Sequence, residues 1–428
     1  MNIAAYPTYG SYKDSGVEWI GEVPAGWQVE PGRQCLYENK DKNTGMKEST
    51  VLSLSYGRVI VKDEDKLTGL VPESFETYQI VQPGDIIIRG TDLQNDMTSL
   101  RTGLARDTGI ITSAYINLRP KAEIDPVFLH YLLHSYDVKK VFYALGSGLR
   151  QNLSYDDFKY LRLPIPLPEE QRAIAAFLDE KCAKVDEAVR IKEEQIALLR
   201  ERRQILIQQA VTRGLNHSAP MKDSGIDWIG QIPAHWEVRR GKHLFREVNE
   251  RSEEGTEELL SVSHMTGVTS RSEKNIYMFM AEDYSGSKLC RPGDVVINTM
   301  WAWMGALGVS DLTGIVSPSY GVYRPLHEAS LNRRFLEWLL RTTPFIEQYN
   351  RISTGLHSSR LRLYPHMFLG LPMAIPSREE QDAIVAHIEN AAGKIDSAIS
   401  LKEDQIAALK EYKTSLINAA VTGKIKVA

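Results

Sequence analysis

His130 and His134 are the residues best spaced for metal chemistry, four apart and so on one face of a helix. The zinc-protease motif also needs a Glu between its two histidines, and this pair lacks it. Asp157-Phe158-Lys159 is a bare Asp-x-Lys, as in some nucleases, and too common to define a site. Gly146-x-Gly148 begins like a dinucleotide fingerprint, but Gln151 stands where the third glycine is needed to bring the helix close. There is no Gly-x4-Gly-Lys-Ser/Thr phosphate loop. Cys35, Cys182 and Cys290 are few, odd in number and far apart. That pattern suits a reducing compartment and offers no thiolate cluster for a metal. No set of residues assembles a catalytic centre, so any covalent chemistry is expected on other chains.

The elements that position the remaining polar residues come in two copies. Residues 13–29 read KDSGVEWIGEVPAGWQV and residues 222–238 read KDSGIDWIGQIPAHWEV, identical at 11 of 17 positions. The offset of 209 is almost half the chain, so one whole unit is duplicated. Val81-Gln82-Pro83-Gly84-Asp85 matches Cys290-Arg291-Pro292-Gly293-Asp294 at the same offset. Tyr115, Arg119 and Pro120 match Tyr320, Arg324 and Pro325 at 205. Glu170-Gln171 matches Glu380-Gln381 at 210. Small loop insertions produce such drift. In this register the counterparts of His130 and His134 are Glu337 and Arg341, which cannot preserve a metal site.

Each half opens with a mixed region of about 150 residues containing strand-like runs such as Val51–Leu54, Asp85–Ile88 and Asp294–Ile297. Helices are expected over 126–143 and 331–349. A Pro-rich stretch then breaks regular structure at Leu163–Pro168 and Leu371–Pro376. Long helices are expected over 169–212 and 379–421. Acidic pairs sit at their N-termini, and Gly214 and Gly423 lie just past their ends.

The first long helix carries Leu178, Val185, Lys192, Leu199 and Leu206 at seven-residue spacing, interleaved with Cys182, Val189, Ile196, Arg203 and Ala210. The second carries Ile388, Ile395, Lys402, Leu409 and Leu416, interleaved with Ala392, Ile399, Ile406, Lys413 and Ala420. Matching seams with matching basic interruptions predict that the two helices pair with each other. At 1.5 Å per residue they make a rod of roughly 60–65 Å. A duplicated unit favours a pseudo-two-fold arrangement, which makes paired helices antiparallel. The first helix then ends near the start of the second globular part, and the C-terminus returns near the N-terminal segment.

Composition is that of an ordinary globular protein, 43% hydrophobic and 25% charged. There is no apolar run near 18 residues and no signal-peptide layout, so no membrane association and a cytoplasmic location are expected. The net charge of −4 is unusual for a protein that grips nucleic acid unaided. Such a role would need local patches or a partner.

Several features, repeated in the same order in both halves, resemble the specificity (S) subunit of type I restriction–modification systems. They are Val23-Pro24-Ala25-Gly26-Trp27 and Ile232-Pro233-Ala234-His235-Trp236, the Pro-Gly-Asp strand starts, Gly148-Leu149 and Gly355-Leu356, and the helix starts Pro168–Gln171 and Pro376–Gln381. The resemblance spans essentially the whole chain. It implies an α+β protein: two tandem-duplicated mixed α/β target-recognition domains, separated by a long antiparallel two-helix coiled coil with pseudo-two-fold symmetry. Their expected bounds are 1–168 and 215–378, with spacer helices at 169–214 and 379–428. Each domain would read one half of an asymmetric, interrupted double-stranded DNA target. Two methyltransferase (M) subunits would dock on the chain, and restriction (R) subunits would join them. A DNA amino-methyltransferase needs an Asn-Pro-Pro-Tyr-like motif and a Gly-rich loop, and neither is present. The chain is therefore expected to be non-catalytic and to carry no cofactor. S-adenosylmethionine is expected on the M subunit, ATP and Mg on the R subunit.

Base readout requires side chains with paired donors and acceptors. In the first half the candidates are Arg89, Gln94, Asn95, Ser99 and Arg101 in a polar loop after a strand, with Arg150, Gln151 and Asn152 in a second loop. In the second half they are Asn298, Thr299, Trp301 and Trp303, with His357, Ser358, Ser359 and Arg360. The repeated pairs Trp19/Trp228 and Trp27/Trp236 read as structural packing. A competing class is a coiled-coil scaffold whose two heads bind proteins rather than DNA.

Overall fold

The computed structural model describes residues 3–62, 74–96, 98, 100–145, 152–273, 283–355 and 361–427. It is mixed α/β and divides into two compact units, residues 1–193 with 402–428 and residues 194–401. No helix among the described residues is long and apolar enough to cross a membrane.

In the first unit, Leu36–Glu38, Ile116–Pro120, Ile86–Ile88 and Thr102–Leu104 form a four-stranded antiparallel sheet in that order. Ile86, Ile87 and Ile88 are fully buried because both faces of their strand are covered. Ile86 and Ile88 face a core shared with Phe128, Leu129 and Leu132, while Ile87 faces a smaller cluster with Leu52, Val81 and Ile111. A strand buried on both faces gives a continuous apolar run rather than alternation. The second unit repeats the frame with Phe245–Glu247, Gly321–Pro325, Val295–Ile297 and Leu307–Val309. Val295 and Ile297 share one cluster, and Val296 another.

The Asp of each Pro-Gly-Asp holds its sheet together. Asp85 is 1% exposed and accepts from Arg119 Nε and Nη2 at 2.7 and 2.8 Å, from Asn117 Nδ2 at 3.1 Å and from the Gln82 amide at 2.9 Å. Asp294 binds Arg324 in the same two-pronged way, both at 2.8 Å, and closes the same turn through the Arg291 amide. The repeated Gln at the helix start also has a defined task. Gln171 accepts from the Asp125 amide at 2.8 Å and donates to the Pro166 carbonyl at 2.9 Å. Gln381 does the same with Asn332 and Pro376. Asp125 and Asn332 in turn cap the next helices, Pro126–Val138 and Arg333–Leu340.

Two expected helices are shorter than predicted. The first ends at Val138, after which Lys140 takes a left-handed conformation and a 3-10 turn follows at Val141–Ala144. The second is two helices, Arg333–Leu340 and Thr343–Ile352. Pro344 has no N–H to continue the ladder, and the Thr342 hydroxyl caps the Leu339 carbonyl instead.

The long helices run Pro168–Arg213 and Arg378–Val421. Every residue of both predicted seams is buried or half-buried. Within the first unit, Asp186 receives Lys413 Nζ at 2.7 Å and Lys192 donates to Gln405 at 2.7 Å. Rising numbers on one helix meet falling numbers on the other, so these segments are antiparallel. Within the second unit, Arg203 pairs with Asp396 at 3.2 Å. Asp186–Lys413 and Asp396–Arg203 are the same pair in the two repeats, so these basic interruptions meet carboxylates.

The helix-ending glycines pack on the repeated tryptophans. Gly423, in a left-handed conformation, leaves no room for a Cβ against Pro24 and Trp27 in the first unit. Gly214 sits against Trp236 and Glu380 in the second. Trp27 and Trp236 are core residues, at 2% and 0% exposure. The C-terminal segment returns to the start of the first unit, where the Lys426 amide donates to the Pro7 carbonyl at 2.7 Å.

Candidate nucleic-acid interface

The first candidate loop, residues 89–101, links Ile86–Ile88 to its sheet neighbour Thr102–Leu104. Residues 298–306 make the same link between Val295–Ile297 and Leu307–Val309. The first linker has 13 residues and the second 9. That four-residue difference accounts for the drift in offset from 209 to 205, so the length change falls in this loop while the strands on either side keep their pairing.

In the first unit the loop is organised around Arg101, which is fully buried. Its five guanidinium N–H groups are all used. Nε donates to the Tyr143 hydroxyl at 3.1 Å and Nη1 to the carbonyls of Arg89 and Thr91 at 3.2 and 2.8 Å. Nη2 donates to the Asp92 carbonyl at 3.3 Å and to that of Asp96. The Arg101 amide donates to Asp137, whose carboxyl burial pushes above its usual range. Arg101 was expected to present donors to a base. In this structure those donors are turned inward onto the loop backbone, where they fix its shape.

Arg89 is half-buried and lies 3.5 Å from Asp96. Gln94 and Asn95 are exposed, and Asn95 donates to Asp92 at 2.8 Å. Asn152, from the second candidate loop, accepts from the Asp92 amide at 3.0 Å, and the Leu153 amide donates to the Gly90 carbonyl at 2.7 Å. The two candidate regions of the first half are thus brought together. The second half uses the equivalent bond, from the Leu363 amide to the Thr299 carbonyl at 3.0 Å. Ser99, Arg150, Gln151, His357, Ser358, Ser359 and Arg360 lie outside the described residues.

The second unit's loop has a different chemistry. Trp301 is 50% exposed and stacks on Trp303, with centroids 6.1 Å apart and planes at 18°. Trp303 Nε1 donates to the Met300 carbonyl at 3.0 Å, which fixes its ring. Asn298 is buried and donates to the Tyr320 hydroxyl at 2.9 Å, while the Thr299 hydroxyl donates to the Ser319 carbonyl. The first loop therefore offers hydrogen-bonding groups, and the second an aromatic face.

Sequence reasoning missed the inward role of Arg101. A hint was available: Arg101 directly precedes the strand, while Arg89 directly follows one, so both sit at the loop's base rather than at its tip. Replacing Arg101 with Met is expected to leave several carbonyls and the Tyr143 hydroxyl without donors and to cost about 2–4 kcal/mol. Hydrogen exchange should then speed up across 89–96 and leave the 298–306 loop unchanged. Unchanged protection of 89–96 would show that the guanidinium does not hold the loop.

Residues 83–199 match the model of the type I restriction modification DNA specificity domain. The match begins at Pro83 of the Pro-Gly-Asp turn and takes in the first candidate loop. The chain is 23% identical over 335 residues to the type I restriction enzyme MjaVIII specificity subunit of Methanocaldococcus jannaschii, covering 74% of this chain and 75% of that protein. It is 25% identical over 232 residues to the putative MjaX specificity subunit of the same organism, covering 51% and 52%. Among solved structures, one chain described under complex assembly and conformational transition of the type I R-M system superposes with TM-score 0.65 at 18% identity, covering 93% of this chain and 98% of that one. The HsdS subunit from Thermoanaerobacter tengcongensis superposes with TM-score 0.52 at 17% identity, covering 97% and 100%. The fold is that of these solved chains, and residues 83–199 carry a type I restriction modification DNA specificity domain. Over about three quarters of its length the chain is thus similar to a type I restriction enzyme specificity subunit.

Proposed function

We propose that this chain is a non-catalytic reader with two target-recognition domains, each recognising one half of an asymmetric, interrupted DNA sequence. The observation that carries the reading is the pair of loops at 89–101 and 298–306. They stand at one place in a repeated frame yet differ in length and chemistry. Two copies of one active site would have no reason to diverge there, whereas two readers of different half-sites must. The long helices form an antiparallel coiled coil that sets the gap between half-sites and docks two M subunits. Leu198 and Ile205, one heptad apart and 63% and 48% exposed, supply apolar surface for such docking. S-adenosylmethionine belongs to the M subunits, and ATP and Mg to the R subunits.

The test replaces residues 31–163 with the corresponding segment of another specificity subunit and maps methylated DNA in cells carrying the complete system. The expected result is a new first half-site beside an unchanged second half-site. An unaltered methylation map would remove the assignment and favour a protein-binding scaffold.

A further inference from the structure

Beside the second candidate loop lies a surface cavity of about 110 Å³, lined by Lys288, Thr299, Ser319, Tyr320, Arg362 and Glu247 among others. Lys288 is only 7% exposed. Its Nζ donates to the Tyr320 carbonyl at 2.8 Å and lies 3.8 Å from Glu247. Burial pulls its pKa below the usual lysine range, with Glu247 opposing and Arg251 reinforcing the effect. Arg251 faces Lys288 across an antiparallel bridge, and Arg271 is near enough to Tyr320 to act on its hydroxyl. Lys288 and Arg362 line the cavity itself, with Arg251 and Arg271 on neighbouring segments, and Glu247 is the carboxylate among its lining residues. In a chain of net charge −4, such a cluster is a local basic patch.

The first half has the same frame, with Lys42 and Lys62 at the positions of Arg251 and Arg271, but neutral residues, Gln79 and Asn152, at those of Lys288 and Arg362. Gln79 occupies the position of Lys288, and its Nε2 donates to the Tyr115 carbonyl at 2.6 Å, the counterpart of the Tyr320 carbonyl. A neutral amide therefore satisfies the structural need there. A buried ammonium in its place costs desolvation, which Glu247 at 3.8 Å offsets only in part, and Arg362 on the same cavity wall adds a second cation for an anion to meet.

We propose that this cavity seats one phosphodiester group of the DNA backbone, held by Lys288 and Arg362 with the Thr299 backbone alongside, and that the second half-site is anchored by a contact the first lacks. The cavity lies where the Leu363 amide meets the Thr299 carbonyl at the base of the 298–306 loop, so a bound phosphate would place the flanking strand against that loop. Phosphate contacts of this kind fix register and carry no base preference. The inference rests on the DNA-reading proposal.

The test uses the full chain assembled with its methyltransferase partners and compares wild type with K288Q, which installs the first half's residue, and with R362Q at an exposed position. Each variant is expected to lower the salt slope of DNA binding by about 1, so that raising salt from 50 to 200 mM weakens it about 3-fold less than wild type. The methylated sequence should stay the same. One neutral methylphosphonate flanking the second half-site should weaken wild type several-fold and weaken K288Q less, since only the Arg362 contact remains there to be lost. Equal slopes and equal methylphosphonate sensitivity in all three proteins would overturn the proposal while leaving DNA reading intact. Insensitivity to methylphosphonate, with wild type still inhibited by inorganic phosphate more strongly than K288Q, would assign the cavity to free phosphate and overturn the backbone assignment. Absence of sequence-specific binding by wild type would instead defeat the DNA-reading proposal itself.

Discussion

Arg119→Met is expected to destabilise the first unit by about 3 kcal/mol, the lower end of the range for breaking a buried ion pair. The cost comes from what is left behind. Asp85 is 1% exposed, and Arg119 is its cationic partner, bonded through two N–H groups. Methionine fills much of the space of the arginine stem but neutralises nothing, so a carboxylate remains out of water with only the Asn117 and Gln82 donors. The loss falls at the lower end of the range because those two donors persist and the Arg119 side chain is 25% exposed. Arg324→Met should produce a loss of similar size in the second unit, where Arg324 also pairs with Glu250 at 2.9 Å. Adding Asp85→Asn to Arg119→Met should recover part of the loss, because the orphaned charge disappears with it. Denaturant unfolding followed by hydrogen exchange assigns each loss to its unit. A change below about 1 kcal/mol in Arg119→Met would mean that the pair does not hold the Pro-Gly-Asp turn.

Acidification should weaken the first unit through His130 and His134. Burial lowers the pKa of His130 to about 3, with His134 and Arg106 adding repulsion, and lowers that of His134 to about 4, with Lys413 adding to it. Both values lie below the unfolded histidine value of about 6.5. The unfolded chain therefore binds protons first as pH falls. The stabilisation is fully present above about pH 6.5 and is lost progressively below it, down to about pH 4 for His134 and about pH 3 for His130. At pH 5 each histidine should cost up to about 2 kcal/mol, less where a partly exposed ring keeps some hydration. The register equivalents in the second unit are Glu337 and Arg341, joined by a 2.8 Å salt bridge, so this histidine-driven loss is confined to the first. The double variant His130→Gln, His134→Gln should flatten the pH dependence between 7 and 5. A wild-type profile no steeper than that of the variant would refute the assignment.

These predictions separate what is local from what is not. The duplication, the buried three-residue strands after Pro-Gly-Asp, the long helices and their heptad seams were all legible, because identity at fixed offset, an apolar run after a turn and a seven-residue repeat are written along the chain. The site was legible as a place: the offset falls from 209 to 205 between Asp85 and Tyr115, and the four residues prove to lie in the 89–101 loop. The break at Pro344 was also written in the sequence, within the span 331–349 where one helix was expected.

What the sequence by itself determined is a repeated frame with a divergent loop in each copy. Only the tertiary structure decided that Asp186 meets Lys413, 227 residues away, and that the Arg101 donors turn inward. It also decided that Lys288 and Gln79 donate to equivalent carbonyls with different charge. Periodicity specifies which face of an element is buried. Which partner lies on that face, and whether a long polar side chain reaches solvent or a nearby carbonyl, depends on contacts between segments that the pattern along one segment does not encode.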